Sequence, residues 1–256
     1  MNIVYMLTSN FVEKAVPSMR SVLRHNPKAK IYLLTEADSV DIDIPVTVVN
    51  ISGRHDFDRS VNLRNNFGGY INLLKVCLPE ILSLNKILWL DADTIVCKPL
   101  DEMWKTNITG KWVAAVPEHR GHYHPFGSMY YNMGVALINL QQLRKDNIMP
   151  EMVEYLNVIK QPFADQDAWN KYGIEADKFV ALDVKYNENF ATGETDDPVI
   201  VHYCGATDWW TRRNMHRGEY LEEYRYWTSS LFTRHRSGSP HELLIYRPPG
   251  TCASGA

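Results

Sequence analysis

Two carboxylates separated by one alanine, Asp91-Ala92-Asp93, follow directly on the apolar run Ile87-Leu-Trp-Leu90. Four apolar residues read as a buried strand, and side chains two apart on an extended strand project to one side. Asp91 and Asp93 are therefore expected to stand together where the strand leaves its sheet. Close carboxylates repel unless something positive lies between them. A divalent cation is the simplest candidate, and a cation beside a sheet edge usually serves a phosphate. His202 closes a second apolar run, Val199-Ile-Val-His-Tyr203, and Gly205 permits a tight turn close to a ligand. Two carboxylates and one imidazole form an oxygen-rich set with one nitrogen, which suits Mn²⁺, with Mg²⁺ the weaker match. Each part has a structural alternative, since acidic pairs and lone histidines at strand ends are common. Taken together they point to a metal-dependent enzyme acting on a nucleotide-activated sugar.

The surrounding pattern supplies elements to hold these groups. Strands are expected at Ile3–Leu7, Ile31–Leu34, Val46–Val49, Trp112–Val116 and Tyr131–Leu140, besides the two runs above. Helices are expected from about Asn10 to His25, over Tyr70–Leu84 with Pro79 as an interruption, over Gln141–Ile159 and over Asp165–Lys171. Strands alternating with helices from the N-terminus predict an α/β fold with a mostly parallel central sheet flanked by helices. Ser52–Gly69, polar and glycine-containing, reads as a mobile loop.

The chain has 256 residues, with 45% hydrophobic and 22% charged, which excludes a disordered chain and suits one α/β domain. A net charge of −3 gives no global reason to expect nucleic acid. The four cysteines show no CxxC spacing, so a reducing, cytoplasmic setting is expected. Neither a basic leader nor an apolar segment of membrane-spanning length is present. After Gly205 the composition shifts: Arg212, Arg213, Arg217 and Arg225 interleave with Trp209, Trp210, Tyr220 and Trp227. Residues 1–210 are read as the catalytic domain and 211–256 as a basic, aromatic extension packing on it. Peripheral contact with an anionic membrane is the alternative reading of that extension.

Several segments resemble glycosyltransferase family eight, the family of glycogenin and of bacterial lipopolysaccharide galactosyltransferases and glucosyltransferases. Leu7-Thr8-Ser-Asn10 is similar to the first-strand segment that holds the nucleotide base and ribose. Lys75-Val-Cys-Leu resembles a Lys-x-x-Cys segment whose basic residue contacts the donor. Asp91-Ala92-Asp93 matches the metal motif, whose middle residue lies along the ribose. Asn132-Met-Gly134-Val, Asp165-Gln166-Asp167, Tyr186-Asn187 and His202-Tyr-Cys-Gly205 follow in the family's order. The resemblance spans roughly Ile3 to Trp210 and implies a GT-A fold.

It further implies retaining transfer of a hexose from a nucleoside-diphosphate sugar, a UDP-hexose above all, to a glycan or other hydroxyl acceptor. Asp91, Asp93 and His202 would hold the metal. Lys75 would add charge near the donor, and Asn132, Asp165 and Gln166 would hold sugar hydroxyls. Asp167 or Gln166 is the group to suspect for a covalent route. Lys75→Ala is expected to weaken catalysis more than folding. Two departures stand out. Asp208 and Trp209 occupy the family's phosphate-lysine and proline positions, so Arg64, Arg212 or Arg213 would have to supply that charge. Glu13 stands where glycogenin has a tyrosine against uracil. Two rival readings follow: a non-catalytic sugar-nucleotide or glycan-binding protein on the same scaffold, and a haloacid-dehalogenase-type phosphatase, whose Asp-x-Asp-x-Thr motif Asp91–Thr94 also fits.

Overall fold

The computed structural model describes residues 1–63, 69–119 and 129–204. Its strands are β1 (Asn2–Met6), β2 (Lys30–Thr35), β3 (Val46–Asn50), β4 (Lys86–Leu90), β5 (Thr94–Val96), β6 (Val113–Pro117), β7 (Tyr131–Asn139), β8 (Phe179–Ala181) and β9 (Ile200–His202). Seven of them form one sheet in the order β3-β2-β1-β4-β7-β6-β8, and β5 pairs with β9 in a separate two-stranded sheet. β7 is antiparallel to both β4 and β6, and the other pairings in the large sheet are parallel. The mostly parallel sheet expected from the sequence is present, with β7 the strand that runs against the rest.

Both faces of the sheet are covered, which is why β1 and β4 read as continuous apolar runs rather than as alternations. Ile3, Tyr5, Leu88 and Leu90 face one core with Val12, Val16 and Met19 of α1 (Val12–His25). Val4, Met6, Ile87 and Trp89 face the other. Three helices cover that second face: α5 (Leu140–Asp146), α6 (Met149–Val158) and α7 (Asp165–Glu175). Preceding them in the chain are α2 (Gly69–Leu73), α3 (Leu78–Ile81) and α4 (Asp101–Lys105).

Two expected helices are divided, for identifiable reasons. The span Tyr70–Leu84 becomes α2, a 3₁₀ segment Leu74–Cys77, and α3. Pro79 cannot donate to the Lys75 carbonyl and its ring crowds it. The chain instead tightens, and the Leu78 N–H bonds the Lys75 carbonyl. Gln141–Ile159 breaks at Asn147, whose left-handed φ of 50° ends α5, and Pro150 falls in the first turn of α6. The segment expected to be a mobile loop is anchored over its described part. Phe57 is fully buried, and Ser60 and Asn62 bond the Leu156 carbonyl at 2.5 and 2.7 Å. β5, α4 and β8 are too short to show a periodicity. Among the described residues Cys77, Cys97 and Cys204 are free thiols, and burial pushes Cys77 up to about 12. No described helix is long and apolar enough to cross a membrane.

Candidate functional site

β4 ends at Leu90, so Asp91, Ala92 and Asp93 occupy the turn between β4 and β5. The expected juxtaposition of the two carboxylates is present, but a turn produces it rather than strand alternation. The turn is fixed from behind by hydroxyl groups on three elements. Thr94 Oγ1 donates to the Asp91 carbonyl at 2.8 Å. Ser18 Oγ, 2.9 Å from it, must then donate to it, and the Tyr5 hydroxyl stands 2.8 Å behind Ser18. β9 lies against β5 with His202 opposite Thr94. That register delivers the imidazole to the carboxylates: His202 Nε2 is 3.3 Å from Asp93 Oδ1 and 3.8 Å from Asp91 Oδ2. The ligand atoms of the three residues all lie within 4.8 Å of one another. Donors bonded at about 2.1 Å to a hard divalent cation sit roughly 3 Å apart, so the trio fits such a cation with little movement. Burial opposes charge on His202, but Asp93 and Asp91 outweigh it and raise its pKa.

Lys75, readable in the sequence as a solvent-facing helix residue, is 6% exposed. Its ammonium lies 3.3 Å from Asp165 Oδ2 and 3.7 Å from Asp91 Oδ1, donates to the Met133 carbonyl at 3.2 Å, and sits over the Trp89 ring. Burial works against its charge, but Asp165 and Asp91 prevail and raise its pKa. Asp165 is nine-tenths buried, and apart from the Lys75 ammonium its Oδ2 has no hydrogen-bond partner within the protein. It does not cap α7. Asp167, in the first turn of α7, accepts from Phe163 N–H at 2.7 Å, while its other oxygen accepts from the Tyr130 hydroxyl at 2.6 Å. Asp167 is fully buried, with both oxygens engaged in holding the helix start. Ala164, just before α7, has φ 49° and ψ −112°, an uncommon conformation for a side-chain-bearing residue.

α7 is docked onto β7 by polar side chains. Gln166 Oε1 accepts from Met133 N–H at 2.9 Å, and Asn170 bonds both the N–H and the carbonyl of Tyr131. These contacts lie beyond the end of the β4–β7 ladder at Leu90 and Val135, and against β6 the register of β7 shifts at Ala115/Val116, with a bulge between Asn132 and Ala136. The bulge turns the Gly134 carbonyl to Asp91 N–H at 2.8 Å. Gly134 has no space for a side chain: a Cβ there would overlap His202 Cε1 and stand 2.9 Å from Asp91 Oδ2.

Asn132 is buried, accepting from Gly134 N–H and donating to Glu118 Oε1 at 2.9 Å. Glu118 also receives Gln166 Nε2 at 3.3 Å. Neither Glu118 nor Asn170 was singled out in the sequence. For Glu118 a signal existed, a carboxylate closing the apolar run Trp112–Val116. For Asn170 there was none. Leu7, Thr8 and Asn10 leave β1 at the edge where Asp91 leaves β4, since β1 and β4 are parallel neighbours. Thr8 Oγ1 donates to Asn10 Oδ1 at 2.6 Å. Gly205, Arg64, Asp208, Arg212, Arg213 and the extension 211–256 lie outside the described residues.

Solved structures share this architecture. That of the galactosyltransferase LgtC in complex with donor and acceptor sugar analogs matches with a TM-score of 0.69 at 21% identity, covering 90% of this chain and 96% of that one. Apo GlyE of Streptococcus pneumoniae TIGR4 matches with a TM-score of 0.63 at 18% identity, covering 91% and 63%. The fold is the GT-A glycosyltransferase fold. The pattern of glycosyl transferase family 8 matches residues 2–214, and the chain belongs to that family. General stress protein A of Bacillus subtilis (strain 168) is 25% identical over 189 residues, 60% of this chain and 63% of that protein. Glycosyltransferase GlyA of Streptococcus pneumoniae serotype 4 is 26% identical over 268 residues, 94% of this chain and 36% of that protein. The chain thus spans less than two-thirds of the length of either relative. Family membership leaves the phosphatase reading without support.

Proposed function

We propose that this chain transfers a hexose from a nucleoside-diphosphate sugar, a UDP-hexose, to a hydroxyl of a glycan acceptor, with retention at the anomeric carbon. The observation that carries the reading is the Asp91, Asp93 and His202 trio beside the buried Lys75–Asp165 pair. The trio would hold Mn²⁺, or Mg²⁺. Bound there, the cation would act as a Lewis acid toward the charge that builds on the leaving diphosphate. Lys75 keeps a fixed positive charge beside the same carboxylates. Asp165 Oδ2, buried and paired with the Lys75 ammonium alone, would also accept from a sugar hydroxyl. Asn132, Gln166 and Glu118 form one hydrogen-bonded group that would orient the hexose. Leu7, Thr8, Asn10 and Ala92 would lie along the nucleoside, with Gly134 behind the trio.

In the reaction the anomeric C–O bond to the diphosphate breaks, with its electron pair leaving on the phosphate oxygen. The acceptor oxygen forms the new bond, and its proton passes to a leaving-group oxygen or to water. Asp167 spends both oxygens on α7, and Gln166 Oε1 holds the Met133 N–H. Attack by the acceptor on the departing face is therefore proposed over a covalent intermediate on either residue.

The test is Asp93→Asn, assayed for Mn²⁺-dependent release of hexose from a panel of UDP-sugars, with thermal shift on UDP and Mn²⁺ alongside. The expected outcome is turnover reduced at least about a hundredfold, as for loss of a group acting on transition-state charge, with the fold intact. Retention of most metal-dependent turnover overturns the assignment. A wild-type protein that is stabilised by UDP and Mn²⁺ yet turns over no donor would be a binding protein on this scaffold.

A further inference from the structure

Asn187 belongs to the Tyr186-Asn187 pair and has no part in the chemistry above. It is fully buried and lies beside His202, because the segment Asn187–Asn189 runs along β9: Glu188 N–H bonds the Ile200 carbonyl at 3.0 Å and His202 N–H bonds the Glu188 carbonyl at 2.9 Å. Asn187 Oδ1 stands 2.9 Å from His202 Nδ1. Which imidazole nitrogen carries the proton depends on whether Asn187 presents oxygen or nitrogen there, and two backbone anchors decide it independently.

The first anchor lies in the turn after Asn189. Asn189 Oδ1 accepts from the N–H groups of Ala191 and Thr192 at 2.8 and 3.0 Å, so that atom must be oxygen and the other must be the NH₂. That NH₂ donates to Asn187 Oδ1 at 3.1 Å. Gly193 N–H closes the turn on the Asn189 carbonyl at 2.9 Å, with Gly193 at φ 111°, a conformation that favours glycine. The Thr192 hydroxyl donates to the Asn187 carbonyl. The second anchor is on the bulged strand. Asn132 Oδ1 accepts from Gly134 N–H at 3.0 Å, so it too must be oxygen, and it receives Asn187 Nδ2 at 2.9 Å. Both anchors require Asn187 to present its oxygen to His202. An oxygen accepts only from an N–H, so in the neutral imidazole Nδ1 carries the proton and Nε2 keeps its lone pair. Nε2 is the nitrogen that faces Asp91 and Asp93.

We propose that Asn187 is the positioning residue that fixes His202 in its Nδ1–H form, and that Asn132 and Asn189 act through it, so that the Nε2 lone pair is aimed at the cation position before any cation binds. The proposal rests on the reading of Asp91, Asp93 and His202 as a metal site. A hydrogen bond to the distal nitrogen both orients a ligating imidazole and increases its basicity. The same chain of buried amides continues through Asn132 to Glu118, which links the metal position to the group proposed to orient the hexose.

The first measurement is ¹⁵N NMR of the imidazole nitrogens of His202 in the metal-free protein, at a pH alkaline enough for the ring to be neutral, with His202→Asn for assignment. The expected result is a single Nδ1–H tautomer; an Nε2–H tautomer overturns the proposal. The second is Mn²⁺ binding in the presence of UDP, followed by electron paramagnetic resonance. Asn187→Leu should weaken Mn²⁺ by about 10- to 100-fold, the range found when an outer partner of a ligand is removed, and should leave a mixture of tautomers. Asn187→Asp keeps an acceptor against Nδ1–H but sets its second oxygen against Asn132 Oδ1, so it should retain the tautomer and more of the Mn²⁺ affinity than Asn187→Leu. Unchanged Mn²⁺ affinity in folded Asn187→Leu overturns the proposal. Should that variant not fold, the wild-type tautomer and Asn187→Asp still decide it. An Nδ1–H tautomer in a wild-type protein that binds no Mn²⁺ overturns the metal reading instead, and with it the purpose assigned to Asn187.

Discussion

At the scale of single residues Lys75 has the most consequential surroundings. Its ammonium is almost wholly removed from water, and what keeps it charged is Asp165 on one side and Asp91 on the other. The sequence argued that removing it would harm catalysis more than folding. Its burial changes that balance, because deleting one partner of a buried pair leaves the other carboxylate uncompensated, typically at about 3–5 kcal/mol. Lys75→Met should lose about that much in urea unfolding, and Lys75→Met with Asp165→Leu should recover a large part of it, since the Asp91 carboxylate that remains is partly exposed and still faces His202. Turnover should stay low in both. A double variant as unstable as the single one would mean that the pair contributes packing rather than charge balance. The charged residues at this site were legible one by one, as carboxylates and a histidine at strand ends. Of the amide groups that orient them, Asn132, Gln166 and Asn187 stood in motifs, and Asn170 and Asn189 did not. Asn170 acts on Tyr131, 39 residues away, and Asn189 on Asn187 beside it, and an asparagine in a helix or a turn has no pattern that announces such a partner.

At the scale of elements two glycines separate what the fold needs from what the site needs. Gly134 sits on the β7 bulge directly behind the trio, and a methyl group there would overlap the His202 ring. Gly173, on α7, faces Phe179 of β8, whose ring stacks on Tyr131 at 4.2 Å. Gly134→Ala should abolish the thermal shift produced by UDP with Mn²⁺, because His202 cannot keep its place. Gly173→Ala should cost about 1–3 kcal/mol by overpacking and leave that shift intact. Equal loss of the shift in both variants would show that the bulge has no special relation to the trio. The long apolar strands and α1 were readable because burial on both faces or on one stripe leaves a periodic trace. The bulge left none: Asn132-Met-Gly-Val is an uninterrupted strand in the sequence, and where it leaves the ladder its Met133 N–H is met by Gln166 of α7. The breaks in two predicted helices were partly legible, through Pro79 and Pro150, but the positions of the breaks depended on how each neighbouring turn was satisfied.

For the whole molecule, the trio joins parts of the chain that the large sheet does not. Asp91 and Asp93 follow the central strand β4, whereas His202 ends β9, which pairs with the three-residue β5 on one side and with Glu188 on the other. A two-stranded pair of this length is marginal alone. Around it lie the Tyr203 N–H bond to the Asp93 carbonyl and the Cys97 N–H bond to the Val199 carbonyl, both 2.8 Å. A cation held by all three residues would close this connection, so any opening that lifts β9 from β5 would have to release it. At a ligand concentration a hundred times the dissociation constant such openings become costlier by about 2.7 kcal/mol, close to a hundredfold slowing of amide exchange. With Mn²⁺ and UDP, the amides of Ile95, Val201 and Tyr203 should slow by up to that factor, as should amides that exchange only through global unfolding. Amides of the edge strand β3 that exchange by local fraying should not change, because fraying there leaves the trio intact. Slowing confined to globally exchanging amides would mean that β9 can detach while the cation stays bound, and His202 would then not be a ligand. Slowing across β9 with β3 unaffected would tie the last described strand to the catalytic edge through the metal.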